Sequence, residues 1–159
     1  MPTDFEDQLA IRALASAYAD AVNRRDAEGM AAVMAPDGVI EKPGYGDPVQ
    51  GREIILKRYR RLQRERDFLC QLLTSGVVHV SGDTAVARWW FSETKLRATD
   101  GEWLNMIGVY QDEVVRLTEG WRFSRRVQTT IMEHVIPSDE RISSHALPHF
   151  FDIPGLPAL

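Results

Sequence analysis

The chain has 159 residues, a formal net charge of −4 and 44% hydrophobic residues, the make-up of one globular domain with a sizeable core. That charge gives no electrostatic reason to expect nucleic acid, and no apolar run reaches the length that crosses a bilayer. The acidic start MPTDFEDQLA lacks a secretory layout and the lone Cys70 excludes an internal disulfide, so a cytoplasmic protein with no membrane partner is expected.

Helical spacing opens the chain. Residues 4–24 read as an amphipathic helix with Asp4 as N-cap and Asp7 in the capping-box position, and with Leu9, Leu14, Tyr18 and Val22 on one face. Asp26 then caps a short second helix through Met30, Val33 and Met34, which stops before Pro36. Val39 to Lys42 reads as a short strand, and the Pro- and Gly-rich stretch from Pro43 to Gly51 as a loop. A third helix runs from Arg52 to about Cys70, with Ile54, Ile55, Tyr59 and Leu62 on one side. Its basic run KRYRRLQRER is interleaved with Tyr59, Leu62 and Glu65, so it reads as a solvated helix face rather than a nucleic-acid patch.

Beyond that the period becomes two. Residues 76–80, 84–96, 103–115 and 121–131 are strand candidates rich in Val, Trp, Thr, Ile and Phe. The segments Ser81-Gly82-Asp83, Thr99-Asp100-Gly101 and Thr118-Glu119-Gly120 between them are hairpin turns. Helices first and a strand meander second predict an α+β fold with a curled antiparallel sheet. Residues 1–136 form the expected domain. Residues 137–159, with Pro137, Pro148, Pro154 and Pro157, form an irregular apolar extension expected to pack on the body or on a neighbouring subunit.

The segments ALASAYADAVNRRDAEGMAAVMAPDGVIEKP, GREII, GDTAVARWWF, GVYQDEVV and EGWRF, in that order, resemble a SnoaL-like protein of the nuclear transport factor 2 superfamily. The resemblance covers roughly residues 5–135. It implies a cone-shaped barrel, in which a strongly curved antiparallel sheet wraps around three N-terminal helices and an apolar pocket opens at one end. It also implies a homodimer or homotrimer. The superfamily holds ketosteroid isomerase, scytalone dehydratase, bile-acid dehydratases and polyketide cyclases beside members without chemistry, so the fold leaves function open.

Carried over position by position, the resemblance puts the isomerase's oxyanion-hole tyrosine on Tyr18 and its supporting tyrosine on Tyr59. The isomerase's base falls on Lys42 and its protonated aspartate near Gly108, so both acids of that mechanism are replaced. The tyrosine–aspartate pair of scytalone dehydratase falls on Val22-Asn23, its pocket histidine on or beside Leu72, and its second histidine near Lys95. The bile-acid dehydratases match at Tyr18 and bring their pocket aspartate near Glu93, with their histidine and arginine near Leu72 and Thr130.

Strand alternation sends Lys42 to the same side as Ile40 and Glu41 to the other. A lysine at the rim of an apolar cavity loses solvation and becomes a candidate base or Schiff-base amine, or else it reaches past the rim to water or pairs with a carboxylate. Tyr18 either polarises a substrate oxygen or is a core aromatic bonded to Tyr59. Glu93 shares a strand side with Trp89, Phe91 and Lys95. That side faces the pocket if the dehydratase alignment holds, whereas a one-residue slip would bring in Arg88, Trp90 and Ser92. Arg126 either meets an anionic substrate group or pairs with an acid on a neighbouring strand.

The expected catalytic set is therefore Tyr18, Lys42, Glu93 and Tyr59. Trp89, Phe91, Trp103, Asn105, Met106 and Leu72 are expected to line the substrate cavity. The four histidines show no metal-binding spacing and no Gly-rich phosphate loop is present, so neither metal nor cofactor is expected. The expected chemistry is cofactor-independent proton transfer on a small hydrophobic cyclic or aromatic molecule, as in a dehydratase-like lyase. An isomerase or cyclase using the same pocket is the runner-up, and a non-catalytic binding or dimerisation module is the non-enzymatic alternative.

Overall fold

A computed structural model describes residues 4–97 and 99–136 of the chain. The elements are α1 (Asp4–Asn23), α2 (Ala27–Ala32), β1 (Met34–Glu41), β2 (Val49–Gln50), α3 (Arg52–Arg64), β3 (Arg66–Ser81), β4 (Thr84–Arg97), β5 (Trp103–Leu117) and β6 (Gly120–Ile136). The Pro-rich extension expected at 137–159 lies outside the described residues. The strands form one sheet in the order β2-β1-β6-β5-β4-β3. All pairings are antiparallel except β1 with β6, which is parallel, and the sheet stays open instead of closing into a complete barrel. Register shifts in β1, β3 and along the β5–β6 pair bend the strands and help the sheet curl over the helices.

Helix α1 buries Ile11, Ala15, Tyr18 and Val22 against the sheet, spaced four, three and four residues apart. Leu9 falls outside that stripe and is 57% exposed, so it does not belong to the core face. Asp7 does more than sit in a first turn: its carboxylate accepts from Trp121 Nε1 at 3.1 Å and from the Arg116 guanidinium at 2.5 Å, tying the helix start to β5 and β6. The Asp26 cap forms as expected, accepting from Gly29 N at 2.8 Å. Helix α2 nevertheless ends at Ala32, because the carbonyl of Val33 is taken by Phe123 N of β6 at 3.0 Å. Met34 consequently starts a strand, and the register slip before Val39 leaves Pro36 and Asp37 exposed where no ladder donor is needed.

The largest departure from the expected elements is at residues 65–75. The third helix stops at Arg64, and β3 begins at Arg66 rather than Gly76. Strand β4 supplies a partner along this whole length, from Arg66 opposite Arg97 to Ser81 opposite Thr84. Ladder bonds over sixteen residues outweigh a local helical tendency that has no buried face beyond Leu62.

On the inner face, β4 presents Ala85, Ala87, Trp89, Phe91 and Glu93, alternating with exposed or half-buried residues. Two glycines admit the rings. A Cβ at Gly76 would lie 2.0 Å from Trp89 Cε3, and one at Gly108 would lie 2.4 Å from Phe91 Cζ. The position near the isomerase family's protonated aspartate is thus occupied by a neighbour's aromatic ring, which only glycine tolerates. Ile11, Met34, Ile55, Met106 and Phe123, each exposed to 1% or less, complete the core, and each contributes about 1.5–3 kcal/mol.

Candidate functional site

A cavity of about 290 Å³ opens between the helices and the inner sheet face. This is close to the lower end of the roughly 300–1,000 Å³ range of small-molecule sites, so it suits a one- or two-ring ligand. Tyr18 from α1, Tyr59 from α3, Lys42 beyond the end of β1 and Glu93 from β4 all line it. The structure therefore brings the four expected catalytic side chains to one place.

Their environments differ. Glu93 is 4% exposed, with Oε2 accepting from Gln71 Nε2 at 3.0 Å and Oε1 facing Lys95 Nζ at 3.7 Å. Lys95 also meets Glu133 at 3.6 Å, so the carboxylate's cationic partner comes from two positions along its own strand and not from Lys42. Lys42 does turn toward the cavity while Glu41 turns out to Arg125, as alternation requires. Its ammonium stands 3.9 Å above the ring of Tyr45, a residue 55% exposed in the loop before β2, which places it at the mouth.

Three phenols make the deep wall. Tyr18 lies 6.3 Å from Tyr59 and 5.8 Å from Tyr110, centroid to centroid, the second pair edge-to-face. Tyr110 Oη accepts from Gln71 Nε2 at 2.9 Å. Tyr59 Oη is buried beside Tyr18, the phenol weighed from sequence as its partner, and no other group bonds it. Burial, then the neighbouring Tyr18, holds the Tyr59 phenol well above its usual pKa; burial, Tyr18 and Glu93 do the same for Tyr110. Both therefore stay protonated at neutral pH, with an O–H to donate and no phenolate to serve as a base.

Behind them Arg126 pairs with Asp112, its cross-strand neighbour, through Nε at 2.8 Å and a second guanidinium nitrogen at 2.7 Å. Of the two roles weighed for this arginine, the strand ion pair is the one that forms. The rings of Phe123, Tyr18 and Tyr110 stand 4.0, 4.2 and 4.3 Å from the guanidinium carbon. Burial alone works against that charge, but Asp112 outweighs it and lifts the guanidinium above its ordinary pKa. Trp89 Nε1 donates to the same carboxylate at 2.9 Å, so Asp112 receives three donors.

The six residues expected to shape the cavity are placed elsewhere. Leu72 is 58% exposed on the outer sheet face, because β3 alternation turns its neighbour Gln71 inward. Trp89, Phe91 and Met106 are buried behind the wall; Phe91 stacks on Tyr110 at 4.4 Å and so supports a lining ring without lining the cavity itself. Trp103 packs against Phe68 at 5.2 Å, and Asn105 is bonded to Thr94 Oγ1 at 2.8 Å. Gln71 and Tyr110 are lining residues that sequence reasoning missed. Gln71 lies directly opposite Glu93 in the ladder, so an inward Glu93 entails an inward Gln71 once β3 is recognised as a strand there. The histidine position of the dehydratases accordingly falls beside an amide, and Asn23, at the aspartate position of scytalone dehydratase, bonds the backbone of Gln71 through both Nδ2 (2.8 Å) and Oδ1 (2.6 Å).

Comparison with known proteins agrees with this architecture. The SnoaL-like domain profile matches residues 3–127. The uncharacterized protein Rv2910c of Mycobacterium tuberculosis is 27% identical over 135 residues, covering 84% of this chain and 91% of that one. Among solved structures, a protein provisionally named an aromatic ring hydroxylase, from Novosphingobium aromaticivorans, is 28% identical with a TM-score of 0.77, over 85% of this chain and 96% of its own. The hexachlorocyclohexane dehydrochlorinase LinA-type3 of Novosphingobium barchaimii superposes with a TM-score of 0.76 over 86% and 94% of the two chains, at 17% identity, a likeness of fold alone. With the inner cavity, the curled sheet and this match over most of its length, the chain belongs to the SnoaL-like domain family.

Proposed function

We propose that this chain is a cofactor-independent lyase that eliminates water, or a comparable leaving group, from a small cyclic or aromatic molecule. Fold neighbours that include a dehydrochlorinase support elimination as the reaction class. The observation that carries the reading is that Glu93, the one carboxylate lining the cavity among the described residues, shares it with the phenol side chains of Tyr18 and Tyr59.

Glu93 takes a proton from a substrate carbon next to a carbonyl or comparable acceptor, and the Tyr59 O–H donates to the oxygen on which charge develops. The C–O bond to the leaving group then breaks as the C=C bond forms, and protonated Glu93 returns its proton to the departing hydroxide, releasing water. Atoms and charge balance within the pair. Gln71 fixes one carboxylate oxygen and Lys95 faces the other. Between the two candidate bases the geometry favours Glu93, which is buried in the cavity, over Lys42, which stands at its mouth.

Turnover of a panel of alicyclic and aryl hydroxy compounds tests this. Glu93→Gln is expected to lower turnover by about 10²–10⁴-fold with circular dichroism unchanged, and Tyr59→Phe to lower it less. Parent-level turnover in Glu93→Gln refutes the assignment. Ligand binding by a parent that turns nothing over supports a binding module instead.

A further inference from the structure

The charge of the cavity wall is lopsided. Arg25, Lys42, Arg58, Lys95 and Arg126 line it against one carboxylate, Glu93, although the whole chain carries a net charge of −4. Among the described residues Arg126 is matched by Asp112, and Lys95 by Glu93 and Glu133, while Arg25 and Lys42 have partners of their own. Arg58 has none there. It is half-buried on α3, one residue before Tyr59, and among the described residues it makes no hydrogen bond or ion pair. The other wall guanidinium on the helical side, Arg25, sits in the left-handed region at φ 58° and donates to the carbonyl of Gln63, one turn beyond Tyr59 on the same helix.

A partly desolvated guanidinium on a cavity wall, with no carboxylate assigned to it, is a receptor for an anion. Its planar fork matches a carboxylate in bidentate geometry. The small volume and the phenol-lined interior limit the rest of the ligand to a compact ring system. We propose that the cavity takes a cyclic or aromatic carboxylate, its carboxylate held by Arg58 on the side of Lys42 and its ring directed toward Tyr18, Tyr59 and Tyr110. This rests on the cavity being a ligand site, as above, but narrows the ligand from a hydrophobic molecule to an organic anion.

The test compares 2-naphthoate with its neutral isostere 2-naphthamide, titrated calorimetrically into the full chain at low salt. The parent is expected to prefer the acid about tenfold, the size of one charge-assisted contact. Arg58→Met is expected to abolish that preference while leaving naphthamide affinity and thermal stability unchanged, since the side chain anchors no other group. Equal affinity for acid and amide in the parent overturns the proposal. So does binding of neither below about 1 mM, or an intact preference in Arg58→Met. Glu93→Gln is expected to keep the acid preference, so a failed lyase assignment leaves this result standing, whereas a parent that turns substrate over but binds acid and amide equally sinks the anion site alone.

Discussion

The buried Arg126–Asp112 pair offers a demanding measurement, because the structure predicts its single and double variants to differ in kind. Both side chains are at most 1% exposed, and the two nitrogen–oxygen contacts are 2.7 and 2.8 Å. Asp112→Leu leaves a guanidinium buried among three rings with no counter-charge, and Arg126→Met leaves a carboxylate whose one remaining donor is the Trp89 indole. Stranding a buried charge costs about 3–5 kcal/mol, which for a chain of this size lowers Tm by about 10 °C or more. In the double variant no charge is stranded. Its expected residual cost is about 1–3 kcal/mol, the penalty for a Trp89 N–H left without its acceptor. Urea unfolding of the parent, both singles and the double, analysed as a cycle, reads the coupling directly. If either single costs less than about 1 kcal/mol, or the double costs the sum of the singles, the charges are not shielded together as described and the account of the cavity's rear wall fails.

Two further expectations are simpler. Gly76→Ala forces a methyl to within 2.0 Å of Trp89 Cε3 and should destabilise by about 1–3 kcal/mol in urea unfolding; an unchanged midpoint would show that the ring does not lie over that backbone. Asp7 is held below the usual carboxylate range, chiefly by its bond to Arg116, so the folded state binds this proton less readily than the unfolded chain. Its contribution to stability is complete above the unfolded pKa of about 4 and is lost as pH falls through the lower folded value. Tm measured from pH 7 down to 3 should therefore drop less steeply in Asp7→Asn than in the parent, and parallel curves would count against the link.

Much of the architecture was legible because it follows from period and punctuation. The stripe from Tyr18 to Val22, the Asp26 cap and the turns at Gly82, Gly101 and Gly120, each at positive φ, are local features that neighbouring residues settle among themselves. The gathering of Tyr18, Tyr59, Lys42 and Glu93 was legible through family resemblance joined to strand parity. The end of α3 was not. From Glu65 on, the chain can satisfy its backbone either in a further helical turn or along β4, and only the presence of that partner strand decides.

The amino-acid order by itself settled where the hairpins turn and that helices followed by a strand meander would enclose one α+β core, since these depend on side-chain period and on glycine's access to positive φ; it left the inward face of β4 open between two parities. Tertiary structure decided what the cavity wall contains. It drew β3 out of helix, turned Gln71 in and Leu72 out, paired Arg126 with Asp112, and left Glu93 facing Lys95 with Lys42 at the mouth. Those outcomes hinge on contacts between residues far apart in the chain, whose gain or loss of solvation no local pattern encodes.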